Sequence, residues 1–265
     1  MALPIALQLY SVRYDLEADF YGTLKKVKEM GYDGVELSGL GDRDPLEVKV
    51  MLEELGLAIT SSHAPVDELM RDGEFERYAL LGCKYVVMGM RFHGDEEETA
   101  NYIEIIRTLS EKAHAAGITL QYHNHDFEFM TYKGKYILDT LYEEIPADRL
   151  LAQIDTCWVK FAGIDPCEYM KQYKGRTPLL HLKDFIGGKG EDDPYDLIGQ
   201  TEVKNRRTSF KFVPVGQGCQ DIPAILDTAK KTDVQWVIVE QDKSEDRPAL
   251  ESVKMSLDYL RSLEW

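Results

Sequence analysis

Six histidines and 47 acidic residues are spread along this 265-residue chain, yet those suited to chemistry share one setting: each closes a short apolar run. Gln8 ends the first such run, Glu36 the second and His63 the third. Further on come Gln121-Tyr122-His123-Asn124-His125 with Asp126 and Glu128 behind it, then Asp155, His181-Leu182-Lys183-Asp184 and Glu240-Gln241-Asp242. A charge at the end of an apolar strand is costly to desolvate and calls for a partner or a metal. Imidazoles and carboxylates together suit one divalent ion such as Mn, Zn, Co or Mg, with His123, Asp155, His181 and Glu240 as the ligand set. His123 and His125 fall on the same strand face, because side chains repeat every second residue. One of them serves the metal and the other a substrate oxygen. Plainer readings stay open: Asp155 as a loop cap, Glu240 paired with Lys183, His181 as a buried hydrogen-bonded histidine, and His63 as a loop-ordering residue.

The elements that must position these groups alternate from end to end. Strand-like runs cover 5–10, 34–38, 58–64, 85–89, 118–124, 150–156, 178–184 and 236–241. Most are apolar on both faces until their last residues, as strands covered on both sides read. Amphipathic stretches lie between them, at 19–30, 45–55, 96–116 and 249–263, three of them stopped by Gly31, Gly56 and Gly117. On the second of these, Leu46, Val50, Leu52 and Leu55 are expected to form the inward face. Eight βα units in this length predict a single-domain (β/α)8 TIM barrel over residues 1–265. Reacting groups in such a barrel sit at the carboxyl ends of the strands. An irregular insertion, 186–207, interrupts the rhythm between the seventh and eighth strands, followed by a short strand near 210–215. Trp158 and Phe161 read as packing, and the charged run at 204–207 as a solvated face.

Composition narrows the partners. The net charge is −16, so nucleic acid and membrane surfaces are repelled, and a small molecule is the expected partner. Four scattered cysteines without a CxxC pair, and no targeting segment, suit a cytoplasmic protein. Assembly into a homo-oligomer is compatible with this composition.

YHNHDFEF after the fifth strand, IDTCWVKFAGIDP, LLHLKDF, PVGQG and VIVEQD, in that order, with QLYSVR, GYDGVELSG and SSHAP before them, resemble the xylose-isomerase-like TIM barrels. That group includes sugar phosphate isomerases/epimerases, inosose dehydratases, ketose 3-epimerases and endonuclease IV, and the likeness spans essentially the whole chain. The resemblance implies a divalent metal on a Glu, Asp, His, Glu set, whose last three positions match Asp155, His181 and Glu240. At the first position this chain departs: His123-Asn124-His125 stands where many relatives carry Glu-Asn-His. Epimerases of the group use that Glu with the last-strand Glu on opposite faces of the substrate. Its loss moves weight toward a lyase or dehydratase acting on a keto-sugar or keto-inositol.

The implied activity is a metal-dependent isomerase/epimerase or lyase acting on a sugar, keto-sugar or inositol derivative. It works by proton abstraction beside a carbonyl and an enediolate intermediate. Glu240 or His123 serves as base and Lys183 steadies the enolate. Gln8, Glu36, His63, His125 and Glu128 are the candidates for substrate contact. The alternatives are a non-catalytic metabolite-binding barrel and an endonuclease IV-like phosphodiesterase, which the acidic charge disfavours.

Overall fold

The computed structural model describes residues 2–188, 210–263 and 265. Eight strands are numbered here in chain order: β1 (Ile5–Gln8), β2 (Gly34–Leu37), β3 (Ala58–His63), β4 (Tyr85–Met88), β5 (Thr119–His123), β6 (Leu150–Asp155), β7 (Leu179–Leu182) and β8 (Trp236–Val239). Each pairs in parallel with its sequence neighbours, and β1 pairs with β8 to close the barrel. This is the expected (β/α)8 TIM barrel.

Local chemistry sets the helix limits. Asp19, Asp44, Asp95, Asp165 and Asp221 each accept a backbone N–H in the first turn of the following helix. Gly31 and Gly56 end two helices in the left-handed region, at φ 105° and 64°, where a Cβ would be strained. The helix Pro45–Leu55 turns differently from expectation. Its buried face is Pro45, Val48 and Leu52, while Leu46 and Val50 are each 51% exposed. The segment is apolar on two diagonals, Leu46/Val50 and Val48/Leu52, and packing against the barrel selects only the second.

Strand alternation divides the interior into two cores. Outward-facing residues such as Leu7, Val35, Val86, Leu120, Leu180 and Val237 pack under helix residues including Leu24, Leu52, Ile106 and Leu257. Inward-facing residues at the amino-terminal half form a separate plug of Ala6, Tyr85, Leu179 and Ile238, with Leu151 and Trp236 against it. Trp236 fits because β2 begins with glycine: a Cβ on Gly34 would lie 3.1 Å from its ring and 2.7 Å from the Ala58 carbonyl oxygen. Above the plug the same inward faces turn polar, and there the site begins.

The expected insertion lies mostly outside the described residues, as does the charged run at 204–207. Where the chain is described on either side, Asp184–Ile186 and Lys211–Val213 form an antiparallel pair. Trp158, Phe161, Phe185, Phe210 and Phe212 pack as an aromatic cluster, in keeping with a packing role for Trp158 and Phe161. Asp184 anchors the PVGQG turn, accepting N–H bonds from Gly216, Gly218 and Gln220. Among the described residues no helix is long and apolar enough to cross a membrane.

Candidate active site

Two residues above the plug on four of the strands, the inward side chain is polar: Gln8 above Ala6, Gln153 above Leu151, His181 above Leu179, Glu240 above Ile238. Glu36 is the hub of this layer. It is fully buried and accepts from Gln8 Nε2 at 2.6 Å, Gln153 Nε2 at 2.5 Å, His181 Nε2 at 2.6 Å and the Ser61 hydroxyl. His63 Nε2 lies 3.1 Å from the same carboxylate. Burial alone would raise the Glu36 pKa, but the adjoining His181 and His63 overturn that and hold it well below the ordinary carboxylate value.

This layer fixes which ring nitrogens face upward. With Glu36 accepting at His181 Nε2, His181 Nδ1 points to Glu240 Oε2, 2.9 Å away. Gln153 Oε1 lies 3.1 Å from His123 Nδ1, which leaves His123 Nε2 facing Asp155 Oδ2 at 3.7 Å. One atom each from His123, Asp155, His181 and Glu240 therefore lies within 4.8 Å of the others, and all four residues are buried. The donor set fits a divalent cation on three counts. Both histidines have their second nitrogen on an outer acceptor, the usual support for a metal-ligating imidazole. Asp155 Oδ2 is buried without a hydrogen-bond partner among the described residues, its one close cation being the Lys183 ammonium at 3.2 Å. Finally, four buried carboxylates, Glu36, Asp155, Glu240 and Asp242, face two cations, Lys183 and His181.

Lys183 borders this position. Its ammonium is 2.7 Å from Glu240, 2.9 Å from Asp242 and 3.2 Å from Asp155, and the residue is 1% exposed. Burial works against its charge, but Asp155, Asp242 and Glu240 prevail and keep it protonated. Burial likewise opposes the His181 charge, while Glu36 and Glu240 raise its pKa to about 10. Glu240 is held ionised by Lys183 and His181 against the cost of its burial. Burial raises Asp242 to about 6, with Lys183 opposing and Glu240 adding to the rise. Burial, His181 and Lys183 keep His123 neutral, and burial with Lys183 takes His125 down to about 3.

A cavity of about 350 Å³ opens above these groups, within the size range of small-molecule sites. Its lining includes Gln8, His63, His123, His125, Lys183, Glu240 and Asp242. The structure thus brings together the four metal candidates, all three catalytic candidates, and His63 and His125. Three substrate-contact candidates are placed otherwise. Glu36 lies beneath the cavity wall, its oxygens committed to the hub. Gln8 reaches the wall, but its amide already bonds Glu36 and the Tyr10 N–H. Glu128 is fully buried away from the cavity, accepting from the Tyr122 hydroxyl at 2.9 Å and the His125 N–H at 2.8 Å. Two contributors carried no assigned role from sequence: Gln153, whose two-residue offset below Asp155 was the available signal, and Asp242, noted at the end of the eighth strand but given no part in the site.

A family model described as the xylose isomerase-like TIM barrel matches residues 24–263, and the chain belongs to that family. An inosose dehydratase from Geobacillus kaustophilus (strain HTA426) is 26% identical over 272 residues, covering 91% of this chain and 86% of that protein. A solved sugar phosphate isomerase/epimerase from Parabacteroides distasonis ATCC 8503 matches with a TM-score of 0.77 and 26% identity over 99% of each chain. A probable 3-DHS dehydratase from Bacillus anthracis shares the fold, with a TM-score of 0.77 at 17% identity over 98% of this chain and 99% of that one.

Proposed function

We propose that this protein is a divalent-metal-dependent lyase that removes water from a keto-sugar or keto-inositol. The observation that carries the reading is the 2.7 Å contact between Glu240 and Lys183 on one side of the cavity. Elimination needs a base for the C–H proton and an acid for the departing hydroxyl, and a neighbouring carboxylate and ammonium supply both. The names of an inosose dehydratase and a probable 3-DHS dehydratase among similar proteins point the same way.

A divalent cation held by His123, Asp155, His181 and Glu240 would polarise the substrate carbonyl and acidify the adjacent C–H. Glu240, held ionised, accepts that proton. The Lys183 ammonium offsets the charge developing on the enolate oxygen and then gives its proton to the β-hydroxyl, which leaves as water. The proton on Glu240 returns to the Lys183 amine across their contact, restoring both groups. Asp242 holds the Lys183 side chain during the cycle. His63 and His125 line the cavity where they can orient substrate hydroxyls.

Isomerisation or epimerisation is the second reading, favoured by the name of the P. distasonis relative. Epimerisation needs a second proton-transfer group across the substrate. His123 is poorly suited to that, because Gln153 takes Nδ1 and Asp155 faces Nε2. The test is incubation of the metal-loaded protein with a panel of inososes and keto-sugars in D2O, followed by mass spectrometry and NMR. Loss of 18 mass units supports the lyase; deuterium gain with epimer formation and no water loss would replace it with an epimerase.

A further inference from the structure

A second recess, about 210 Å³, opens beside the central cavity between the segments that follow β1 and β2. Arg13, Glu17, Phe20, Leu37 and Arg43 are among its walls, and Ser38 lines both spaces. The arginines set it apart. Elsewhere in this acidic chain, Arg77, Arg107, Arg149 and Arg261 each meet a carboxylate at 3.0, 3.0, 2.7 and 2.7 Å. Among the described residues Arg176 and Arg247 have no such ion pair: Arg176 commits Nε and both terminal nitrogens to the Tyr142, Ile145 and Leu150 carbonyls, and Arg247 donates to Gln217 Oε1.

Arg13 is neither neutralised nor saturated. Only Nη1 is used, donating to the Tyr10 and Asp242 carbonyls, each at 2.8 Å. Its guanidinium is also steadied by the Tyr10 and Tyr14 rings, 4.0 and 4.7 Å away. Nε and Nη2 have no acceptor among the described residues. Arg43 lies 4.3 Å over the Phe20 ring and likewise has no carboxylate partner there. Glu17 is the recess's own carboxylate and pairs with neither. A fixed guanidinium with one edge unused is suited to bidentate recognition of a planar or tetrahedral oxyanion. In a chain of net charge −16, which repels anions at long range, a half-buried, fixed Arg13 and an exposed Arg43 beside it, both next to the reaction cavity, mark a local exception. Arg13 is also close to the chemistry, since the residue whose carbonyl holds it, Asp242, bonds Lys183 through its side chain.

We infer that this recess is a subsite for an anionic group, a carboxylate or a phosphate, carried by the substrate away from its reacting carbon. The inference rests on the proposed keto-sugar reading for its substrate class, and on the arginines alone for the anion. Calorimetric titration of wild type, Arg13→Gln and Arg43→Gln proteins of equal metal content, with inorganic phosphate, malonate and a neutral inosose, tests it. One of the two anions should bind wild type, weaken as NaCl rises, and bind at least fivefold more weakly to each variant. The tighter anion identifies the group. Arg43 touches no catalytic segment, so its variant carries the test should Arg13→Gln fail to fold. Absent anion binding, or equal binding to wild type and variants, overturns the subsite. The two readings fail separately: arginine-dependent anion binding by a protein that turns over no keto-sugar or inosose, neutral or phosphorylated, would sink the keto-sugar reading and leave the subsite standing.

Discussion

The two halves of the barrel interior are built from the same inward strand faces and differ in almost everything else. Toward the amino-terminal end, Ala6, Tyr85, Leu179 and Ile238 form a plug without charge. One inward position higher, Gln8, His181 and Glu240 join a buried network around Glu36. Face is set by the two-residue alternation, while height along the strand decides between packing and chemistry. The plug gains from water exclusion. The network tolerates burial only because nearly every polar atom is paired, which makes it the more fragile half.

The largest expected effect comes from removing the hub. Glu36→Ala leaves Gln8, Ser61, Gln153 and His181 without their shared acceptor and should cost about 3–5 kcal/mol in thermal or urea unfolding, as breaking buried pairs does. A loss below about 1 kcal/mol would mean the network reorganises freely. The pH dependence of the metal-free protein has a definite sign. His181 carries a raised pKa of about 10, so its stabilisation is complete below the ordinary histidine value and fades as pH rises through about 10. Glu36 is depressed, so its share is present above the ordinary carboxylate value and is lost as pH falls. Stability measured against pH should therefore fall off on both sides of a plateau.

Next in size, Glu240→Gln, which removes a positioned base, and His181→Ala, which removes a ligand of the expected metal, should each reduce turnover at least about 100-fold, with folding retained by circular dichroism. Normal turnover in both would place the chemistry elsewhere. Lys183→Met should move metal affinity the other way. Its ammonium lies 3.2 Å from Asp155 and 2.7 Å from Glu240, next to where the cation is expected, so deleting that charge should tighten Mn or Zn binding about tenfold, or ~1.4 kcal/mol. Looser binding in calorimetry would show that Lys183 shapes the site more than it repels the ion.

The smallest change tests the plug's side of the contrast. Gln121 faces inward two residues below His123, fully buried, with neither amide atom partnered among the described residues. Gln121→Met keeps the shape and removes the unpaired amide, so it should stabilise by about 1–2 kcal/mol. Destabilisation in urea titration would mean that the amide has a partner.

Much of this contrast was legible in the chain. Near-continuous apolar runs, most of them ending in polar residues, located all eight strands, and Gly31, Gly56 and Gly117 located three helix stops. Strand order along the chain then put Asp155, His181 and Glu240 at one mouth. What a linear reading could not supply was closure across the barrel. Glu36 meets Gln153 from 117 residues away and His181 from 145, so its place beneath the site, not in it, appears only once the sheet closes. Glu128 follows a similar logic: proximity to His125 in sequence suggested the cavity, but the turn after β5 folds it back under Tyr122.

The central claim is that His123, Asp155, His181 and Glu240 hold one divalent ion. Anomalous diffraction from crystals grown with Mn or Zn tests it most directly. The account predicts a single strong peak within about 2.0–2.3 Å of all four side chains, absent in His181→Ala. Crystals that show no peak there, or a peak unaffected by losing His181, would contradict it.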